Sequence, residues 1–178
     1  MLCYIQDTIG LVLTLGIDES RTTKWWVDAS FATRHKMRSQ TGGTMSMGRG
    51  SVYSISRKQK LNTTSSTEAE LVGASDVMPQ ILWTRQLLLS QSVEGINHIL
   101  FQDNESAILL QKNGNGSRSR RTRHINIRYF FVKDRVDAKE LDIQYCPTNE
   151  MVGDFFTKPL QGKKFTLFRK IIMGEETG

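Results

Sequence analysis

The sequence is poor in cysteine and histidine, and this limits the chemistry that it can support. Only Cys3 and Cys146 occur among 178 residues, without a CxxC pair. Two cysteines cannot build a disulfide framework, so a reducing environment is expected. The histidines, His35, His98 and His124, are far apart and form no HExxH motif. A zinc site is therefore disfavoured.

Long apolar runs and targeting signals are also missing. No stretch reaches 18 consecutive apolar residues, which predicts that the chain does not span a membrane. The first seven residues lack the basic-then-apolar order of a signal peptide. No nucleophile elbow of the GxSxG type is present, although residue counts alone leave a Ser-His-Asp triad open.

Positive charge is plentiful and unevenly distributed. The net charge is +6 and the pI is about 9.5. Seven Lys and Arg residues lie between Arg34 and Lys60 without a single acid. Eight more lie between Lys112 and Arg135, where Asp134 is the lone acid. We call these stretches the first and second basic belts; each is typical of a surface that contacts phosphates, the alternative being an ordinary solvated surface.

Two short apolar runs end in an aspartate. Trp25, Trp26 and Val27 precede Asp28, and residues 98–102 precede Asp103. Bulky aromatic and β-branched residues favour buried strands. If the two strands are neighbours, both carboxylates lie at one edge of the sheet, where α/β proteins place their sites. Adjacent carboxylates repel each other unless a cation lies between them, so the pattern favours a hard-metal site.

The rest of the chain predicts an α/β fold built from an antiparallel meander followed by alternating helices and strands. Residues 33–41 read as a polar loop and Gly42-Gly43 as a turn. Pro79 is expected to kink or restart the first long helix. Strands are predicted at 10–16, 24–28, 44–47, 51–56, 98–102 and 141–145, and helices at 66–89, 105–112, 122–138 and 151–157.

Two glutamates at the start of the long helix have different predicted roles. Ser65-x-x-Glu68 has the form of a capping box, which assigns Glu68 a structural task. Glu70 lies on the apolar stripe continued by Ala74 and Val77, where a carboxylate is costly to bury without a partner. Taken alone, Glu70 is expected at the edge of that stripe, reaching solvent.

Four carboxylates form the candidate site because each lies at a strand end or near a helix start. They are Asp28, Glu70, Asp103 and Asp154. Four carboxylates suit Mg²⁺ or Mn²⁺, hard ions that prefer oxygen ligands.

The chain resembles the ribonuclease H domain of copia-type LTR retrotransposon Pol polyproteins. The resemblance covers roughly residues 24–160 in seven ordered motifs. They are Val27-Asp28-Ala29-Ser30-Phe31-Ala32, Ser39-Gln40-Thr41-Gly42-Gly43, Ser65-Ser66-Thr67-Glu68-Ala69-Glu70, Ile81-Leu82-Trp83, Gln102-Asp103-Asn104-Glu105-Ser106-Ala107, Thr122-Arg123-His124-Ile125-Asn126-Ile127-Arg128-Tyr129 and Asp154-Phe155-Phe156-Thr157-Lys158-Pro159-Leu160. It implies a ribonuclease H-like fold, a five-stranded mixed sheet with helices on both faces.

The resemblance also implies a function. It assigns Asp28, Glu70, Asp103 and Asp154 to a catalytic site that binds two Mg²⁺ ions, with Mn²⁺ as an alternative, and cleaves the RNA strand of RNA–DNA hybrids. Glu68 is then not part of the site. Expected substrate-binding residues are Ser30, Arg38, Asn104, Arg123, His124 and Arg128. For His124 and Arg128, one turn apart, a solvated helix face is the alternative.

Three departures from the family pattern leave a second reading open. The loop at residues 145–150 lacks the histidine of cellular ribonucleases H, Asn126 replaces a usual aspartate, and Pro79 lies inside a helix. These changes also fit a catalytically weak remnant that binds duplex nucleic acid or packs against a polymerase. An integrase of the same superfold is a third reading, against which the position of Glu70 between the first two aspartates argues.

The resemblance finally divides the chain and names its partners. Residues 1–23 are expected to be the tail of a preceding reverse transcriptase, residues 24–160 the ribonuclease H domain, and residues 161–178 a C-terminal tail. The expected partners are an RNA–DNA hybrid and the reverse transcriptase domain of the same polyprotein, with no membrane and no small-molecule substrate. The expected location is the cytoplasm, in a virus-like particle, with the nucleus as the alternative.

Overall fold

A computed structural model describes residues 2–34, 38–113 and 123–175. Within these ranges the chain forms seven strands, five α-helices and one 3₁₀ helix. In order they are α1 Leu2–Asp7, β1 Gly16–Ile17, β2 Thr22–Arg34, β3 Arg38–Ser46, β4 Gly48–Arg49, β5 Tyr53–Lys58, α2 Ser66–Ser90, β6 Asn97–Gln102, α3 Glu105–Asn113, α4 Arg123–Asp137, β7 Asp142–Tyr145, the 3₁₀ helix Val152–Phe156 and α5 Gly162–Met173.

The main sheet has five strands in the order β5-β3-β2-β6-β7. The β5-β3-β2 part is antiparallel, whereas β6 and β7 run parallel to β2. This confirms the predicted mixed sheet. β1 and β4 form a separate two-stranded ribbon. No helix in the described part of the chain is long and apolar enough to cross a membrane.

Alternation along β2 places helices on both faces of the sheet. Trp25 and Val27 are completely buried in a core that contains residues of α2 such as Met78 and Ile81. Successive strand residues point to opposite faces. Trp26 accordingly lies on the other face, where it stacks on Phe101 at 5.4 Å and borders Phe168 of α5.

Two polar stretches that predict a loop and a turn instead continue the sheet. β2 runs on to Arg34 and β3 starts at Arg38, so the predicted loop at 33–41 is largely strand, and Gly42 and Gly43 lie inside β3. The polar side chains here are buried with partners: the Gln40 amide donates to the Phe156 carbonyl at 2.9 Å, and Gln59 donates to Thr41. Buried polar groups are tolerated once they are hydrogen-bonded.

The predicted strand at 10–16 is wrong. Residues 11–15 have no regular structure, and only Gly16 and Ile17 pair, with β4. The large side chains of Val12 and Leu15 are mostly exposed, and the Thr14 amide donates to the Met173 carbonyl instead of to a strand. An apolar run becomes a strand only where a neighbouring strand accepts and donates its backbone hydrogen bonds, and residues 11–15 have no such neighbour.

Helix α2 continues through Pro79, so the predicted restart is wrong. Pro79 itself is exposed, while Val77, Met78 and Ile81 around it are buried against the sheet. Packing of this face outweighs the hydrogen bond lost at the proline. The predicted N-cap is confirmed, because the Ser65 hydroxyl accepts from the Glu68 amide at 3.1 Å. The Glu68 carboxylate accepts from the Thr64 amide at 2.6 Å, one residue before the Ser65 amide that a capping box would use.

The segment after residue 160 forms helix α5 and packs on the sheet. Phe168 is completely buried. The end of α5 accepts two backbone hydrogen bonds, from Thr14 to Met173 and from Ser51 to Ile172. The domain boundaries at residues 23 and 160 stay predictions, but β2 already begins at Thr22 and α5 contributes to the core.

Candidate active site

Asp28 and Asp103 meet where the parallel part of the sheet ends. β2 and β6 pair in register up to Trp26 and Phe101. Each aspartate lies two residues beyond this pair, Asp28 within β2 and Asp103 just after β6. The sequence predicts that the strand ends at Asp28. In the structure β2 continues past this residue, because Asp28 pairs with Gly42 of β3 and the antiparallel ladder goes on from there. On the side of β6, however, Asp28 stands just beyond the ladder.

A third carboxylate comes from the 3₁₀ helix. Carboxylate oxygens of Asp28, Asp103 and Asp154 all lie within 4.8 Å of one another. Asp28 and Asp154 are almost fully buried and Asp103 is half-buried. The approach is close because Gly153 lies against Asp28: a Cβ at residue 153 would stand 3.0 Å from the Asp28 amide nitrogen.

Glu70 joins this site from helix α2. It is only 4% exposed, so the expectation that it reaches solvent is wrong. Its Oε1 accepts from the amide of Ala29, the residue after Asp28, at 3.0 Å. Its Oε2 is buried with no hydrogen-bond partner among the described residues. Burial and the nearby charge of Asp28 raise the pKa of Glu70 well above its usual range.

Burial also raises the pKa of Asp28, and two groups oppose this rise. The Lys158 ammonium lies 3.5 Å from Asp28 Oδ1, and the Thr157 hydroxyl donates to Oδ2. Both favour the ionised form.

Lys158 and Lys164 complete the site. Lys158 Nζ lies 2.6 Å from Asp154 Oδ1, and Lys164 Nζ lies 2.7 Å from Asp154 Oδ2. Burial alone would lower the pKa of Lys158, but its hydrogen bond to Asp154 and the charge of Asp28 raise it. Lys158 could have been found from its i,i+4 spacing to Asp154. Lys164 lies on the next helix, and nothing in the sequence points to it.

The loop that follows β7 is tied to the site through Thr148. Its hydroxyl donates to Asp103 Oδ2 at 3.0 Å, and its carbonyl accepts from Lys164 Nζ at 2.8 Å. The neighbouring Cys146 is a poor nucleophile, because burial raises the pKa of its thiol to about 11.

The three clustered aspartates fit a hard divalent cation, and Glu70 lies beside them on the amide of Ala29. All candidate ligands are oxygens, as Mg²⁺ and Mn²⁺ prefer. Glu70 is buried, its pKa is raised, and its Oε2 has no hydrogen-bond partner among the described residues. A cation nearby would stabilise the ionised form of this carboxylate.

The predicted substrate-binding residues do not form one cluster. Ser30 is buried in β2, two residues after Asp28. Asn104 Oδ1 accepts from the Ala107 amide at 3.0 Å, which caps α3. Arg38 donates to the Lys60 carbonyl, and Arg128 pairs with Asp76 on α2. Arg123 and His124 begin helix α4, but their side chains lie outside the part that the structure describes.

Sequence comparison finds related Pol polyproteins. The chain is 29% identical over 173 residues to the retrovirus-related Pol polyprotein of transposon TNT 1-94 from Nicotiana tabacum, covering 97% of this chain and 13% of that protein. It is also 29% identical over 140 residues to the Gag-Pol polyprotein of transposon Ty1-NL2 from Saccharomyces cerevisiae, covering 79% and 8%. The chain thus spans a small part of the relatives it matches. No family model matches it.

Structural comparison finds ribonuclease H domains. LC11-RNase H1, isolated from compost, superposes with a TM-score of 0.57 at 11% identity, covering 77% of this chain and 93% of that one. The N-terminal ribonuclease H domain of a Mycobacterium tuberculosis protein gives 0.53 at 8% identity, covering 84% and 96%. The chain therefore has the ribonuclease H fold, which confirms the predicted fold, and its sequence relatives are retrotransposon Pol polyproteins, which confirms the resemblance.

Proposed function

We propose that this chain is a metal-dependent endonuclease that hydrolyses the RNA strand of RNA–DNA hybrids during retrotransposon reverse transcription. The observation that carries the proposal is the convergence of Asp28, Asp103 and Asp154 beside the buried Glu70, on a ribonuclease H fold. One structural neighbour, LC11-RNase H1, with a TM-score of 0.50 at 7% identity, was crystallised in complex with an RNA/DNA hybrid.

In this proposal Asp28, Glu70, Asp103 and Asp154 hold two Mg²⁺ ions, or Mn²⁺. When bound, such ions supply Lewis-acid activation of water and stabilise the charge on the departing 3′ oxygen. Hydrolysis adds water to the scissile phosphate and breaks its bond to the 3′ oxygen, leaving 5′-phosphate and 3′-hydroxyl ends.

The chain's own groups keep the carboxylates in place. Each acid has an orienting donor: the Thr157 hydroxyl for Asp28, the Ala29 amide for Glu70, the Thr148 hydroxyl for Asp103 and two lysines for Asp154. Donors of this kind fix the direction in which a ligating oxygen points.

Selection of RNA requires a contact to the 2′-hydroxyl, the group that DNA lacks. We propose that the Glu70 carboxylate, beside Asp28, accepts a hydrogen bond from this hydroxyl. Ser30 and Asn104, close to Asp28 and Asp103 in the chain, are proposed to line the same substrate channel.

The proposed protein partner is the reverse transcriptase of the same polyprotein. The Pol relatives extend far beyond the matched segment. Segment 9–17 carries large apolar side chains that are at least half exposed at Ile9, Val12, Leu15 and Ile17. Exposed apolar surface of this kind is typical of a protein contact. A particle in the cytoplasm stays a prediction.

The experiment is a gel assay with a hybrid labelled on its RNA strand, with Mg²⁺, Mn²⁺ and chelator lanes beside RNA–RNA and DNA–DNA duplexes. We expect metal-dependent loss of RNA from the hybrid alone. Asp28→Asn should abolish cleavage and retain hybrid binding, whereas Asp134→Asn, an exposed acid of α4, should cleave normally. Intact RNA in every lane, with the hybrid still bound, would contradict the nuclease and favour the duplex-binding remnant.

A further inference from the structure

Lys158 stands inside the carboxylate cluster. Its Nζ lies 2.6 Å from Asp154 Oδ1 and 3.5 Å from Asp28 Oδ1, so one ammonium group bridges two of the three clustered aspartates. Both aspartates are almost fully buried, and a buried carboxylate needs a partner of opposite charge. The position that a cation would take between Asp28 and Asp154 is thus held by the chain itself.

Lys164 contacts the same aspartate from outside the cluster. Its Nζ lies 2.7 Å from the other oxygen of Asp154, Oδ2, and donates to the Thr148 carbonyl at 2.8 Å. The ring of the buried Phe168 lies 5.1 Å from this ammonium group, within the range of a cation–π contact. Lys164 therefore ties Asp154 to the loop that follows β7, whereas Lys158 ties it to Asp28.

Lys158 has room to leave its position. Its side chain is 38% exposed. It also lines a cavity of about 840 Å³ beside β2 and β3, and the other described residues that line this cavity, such as Ser30 and Phe156, carry no charge. The stem of a lysine is long and flexible, so the ammonium group can turn into this cavity while the backbone stays in place.

A divalent ion and the Lys158 ammonium group would compete for the same carboxylates. The ammonium group lies within 3.5 Å of both Asp28 and Asp154, so it would be repelled by an ion with two positive charges placed between them. The burial of both aspartates keeps the screening of this repulsion by water low. Binding of an ion at this position therefore requires that the ammonium group move away.

We propose that Lys158 holds the place of a metal ion in the free chain and leaves it when a divalent ion binds, while Lys164 stays and positions Asp154. The inference rests on the proposed function for the ligating role of the aspartates. It adds to that function a built-in competitor, which keeps Asp28 and Asp154 paired with a cation before the ion arrives. Lys164 acts only as a positioning residue.

The test measures binding of Mg²⁺ to the full chain by isothermal titration calorimetry, without nucleic acid. Lys158→Met should bind Mg²⁺ at least about 10-fold more tightly than the wild type, because the repulsion is removed. Lys158→Arg, which keeps the charge, should bind Mg²⁺ no more tightly than the wild type. Lys164→Met should bind Mg²⁺ about 10-fold more weakly, because the donor that orients a ligand is lost. Lys164→Arg should recover most of the affinity.

Unfolding by urea gives a second readout that does not depend on activity. In chelator Lys158→Met should unfold at a lower urea concentration than the wild type, because Asp28 loses the cation beside it. Saturating Mg²⁺ should raise the urea midpoint of Lys158→Met more than that of the wild type, because tighter binding stabilises the folded state more. A variant that is weakly folded in chelator therefore still reports through its response to Mg²⁺.

Lys163→Met is the matched control. Lys163 is the exposed neighbour of Lys164 and forms no ion pair within the described ranges, so its loss should leave Mg²⁺ affinity unchanged. Unchanged or weaker binding by Lys158→Met would overturn the inference, as would shifts in the same direction for Lys158→Met and Lys164→Met. If neither the wild type nor the variants bound Mg²⁺, the inference and the proposed function would fall together. Chains that bind Mg²⁺ as expected but leave the RNA of a hybrid intact would overturn the proposed function alone.

Discussion

Glu70 shows how burial turns one carboxyl group into a candidate ligand. It is buried at 4% exposure, its pKa is raised well above the usual range, and one of its oxygens lacks a partner. Glu68, two residues earlier, forms hydrogen bonds at the start of helix α2, with the Ser65 hydroxyl and the Thr64 amide. Two glutamates separated only by Ala69 thus have separable tasks.

Paired substitutions of these glutamates test the separation. Glu70→Gln should lower the cleavage rate at least about 100-fold, because a metal ligand is lost. It should not lower the free energy of unfolding in chelator at neutral pH, because a costly buried charge is removed. Gel cleavage and urea denaturation measure the two effects.

Glu68→Ala should give the opposite result. The helix loses cap hydrogen bonds, so the free energy of unfolding should fall by about 1 kcal/mol, while the cleavage rate per folded molecule stays the same. If Glu68→Ala abolished cleavage and Glu70→Gln did not, the assignment of the two residues would be reversed.

His98 makes stability depend on pH far from the candidate site. Burial and the charge of Arg85 lower its pKa from 6.5 to about 4, and its Nδ1 is hydrogen-bonded to Thr23 Oγ1 at 2.7 Å. Between these values the unfolded state binds more protons than the folded state, so stability rises with pH.

We therefore expect the free energy of unfolding to fall as the pH is lowered from 6.5 towards 4. His98→Gln should flatten this part of the profile, because the titrating group is gone. Urea denaturation at a series of pH values in high salt measures it. The same slope in His98→Gln and wild type would assign the effect to other groups.

At the scale of elements, the 3₁₀ helix and β3 are fitted to each other through Gly42. A Cβ at residue 42 would lie 2.6 Å from Thr157 Cγ2 and 2.8 Å from Phe156 Cβ. Phe156 also accepts hydrogen bonds from Gln40 and Ser56. The glycine that predicts a turn is therefore required by the close approach of the element that carries Asp154.

Gly42→Ala should displace the 3₁₀ helix. We expect a loss of about 1–3 kcal/mol in stability, typical of overpacking, and weaker Mg²⁺ binding by calorimetry because Asp154 moves. The neighbouring Gly43→Ala meets nothing nearer than 3.4 Å and is the matched control. Equal effects of the two substitutions would contradict this role for Gly42.

At the scale of the whole molecule, helix α5 links the 3₁₀ helix that carries Asp154 to the loop that follows β7. It carries the completely buried Phe168, and its Lys164 contacts both Asp154 and the Thr148 carbonyl. The segment predicted as a C-terminal tail therefore contributes both core and charge.

Phe168→Ala should lower the free energy of unfolding by about 3–5 kcal/mol, as for other buried aromatics. Leu167→Ala, next to it and 43% exposed, should cost about 1 kcal/mol or less. Chemical denaturation of both variants gives the comparison. If a chain that ends at residue 160 were as stable as the full chain, α5 would not belong to the domain.

The sequence by itself determined strands β2, β3, β5, β6 and β7, helices α2, α3 and α4 and the N-cap of α2, and it singled out the four acids of the proposed site, because these depend on periodicity, cap chemistry and motifs within short stretches. Local patterns failed where long-range contacts decide. The polar residues of β3, the glycines beside the 3₁₀ helix and the apolar segment 10–16 each take their conformation from a partner distant in the chain.

Only the tertiary structure decided how these residues act together. The burial of Glu70, the contacts of Lys164 and Thr148, and the meeting of the two basic belts at Asp76 all join residues from different elements. Charge–charge energies and burial depend on distance in space, and a one-dimensional pattern does not contain that distance.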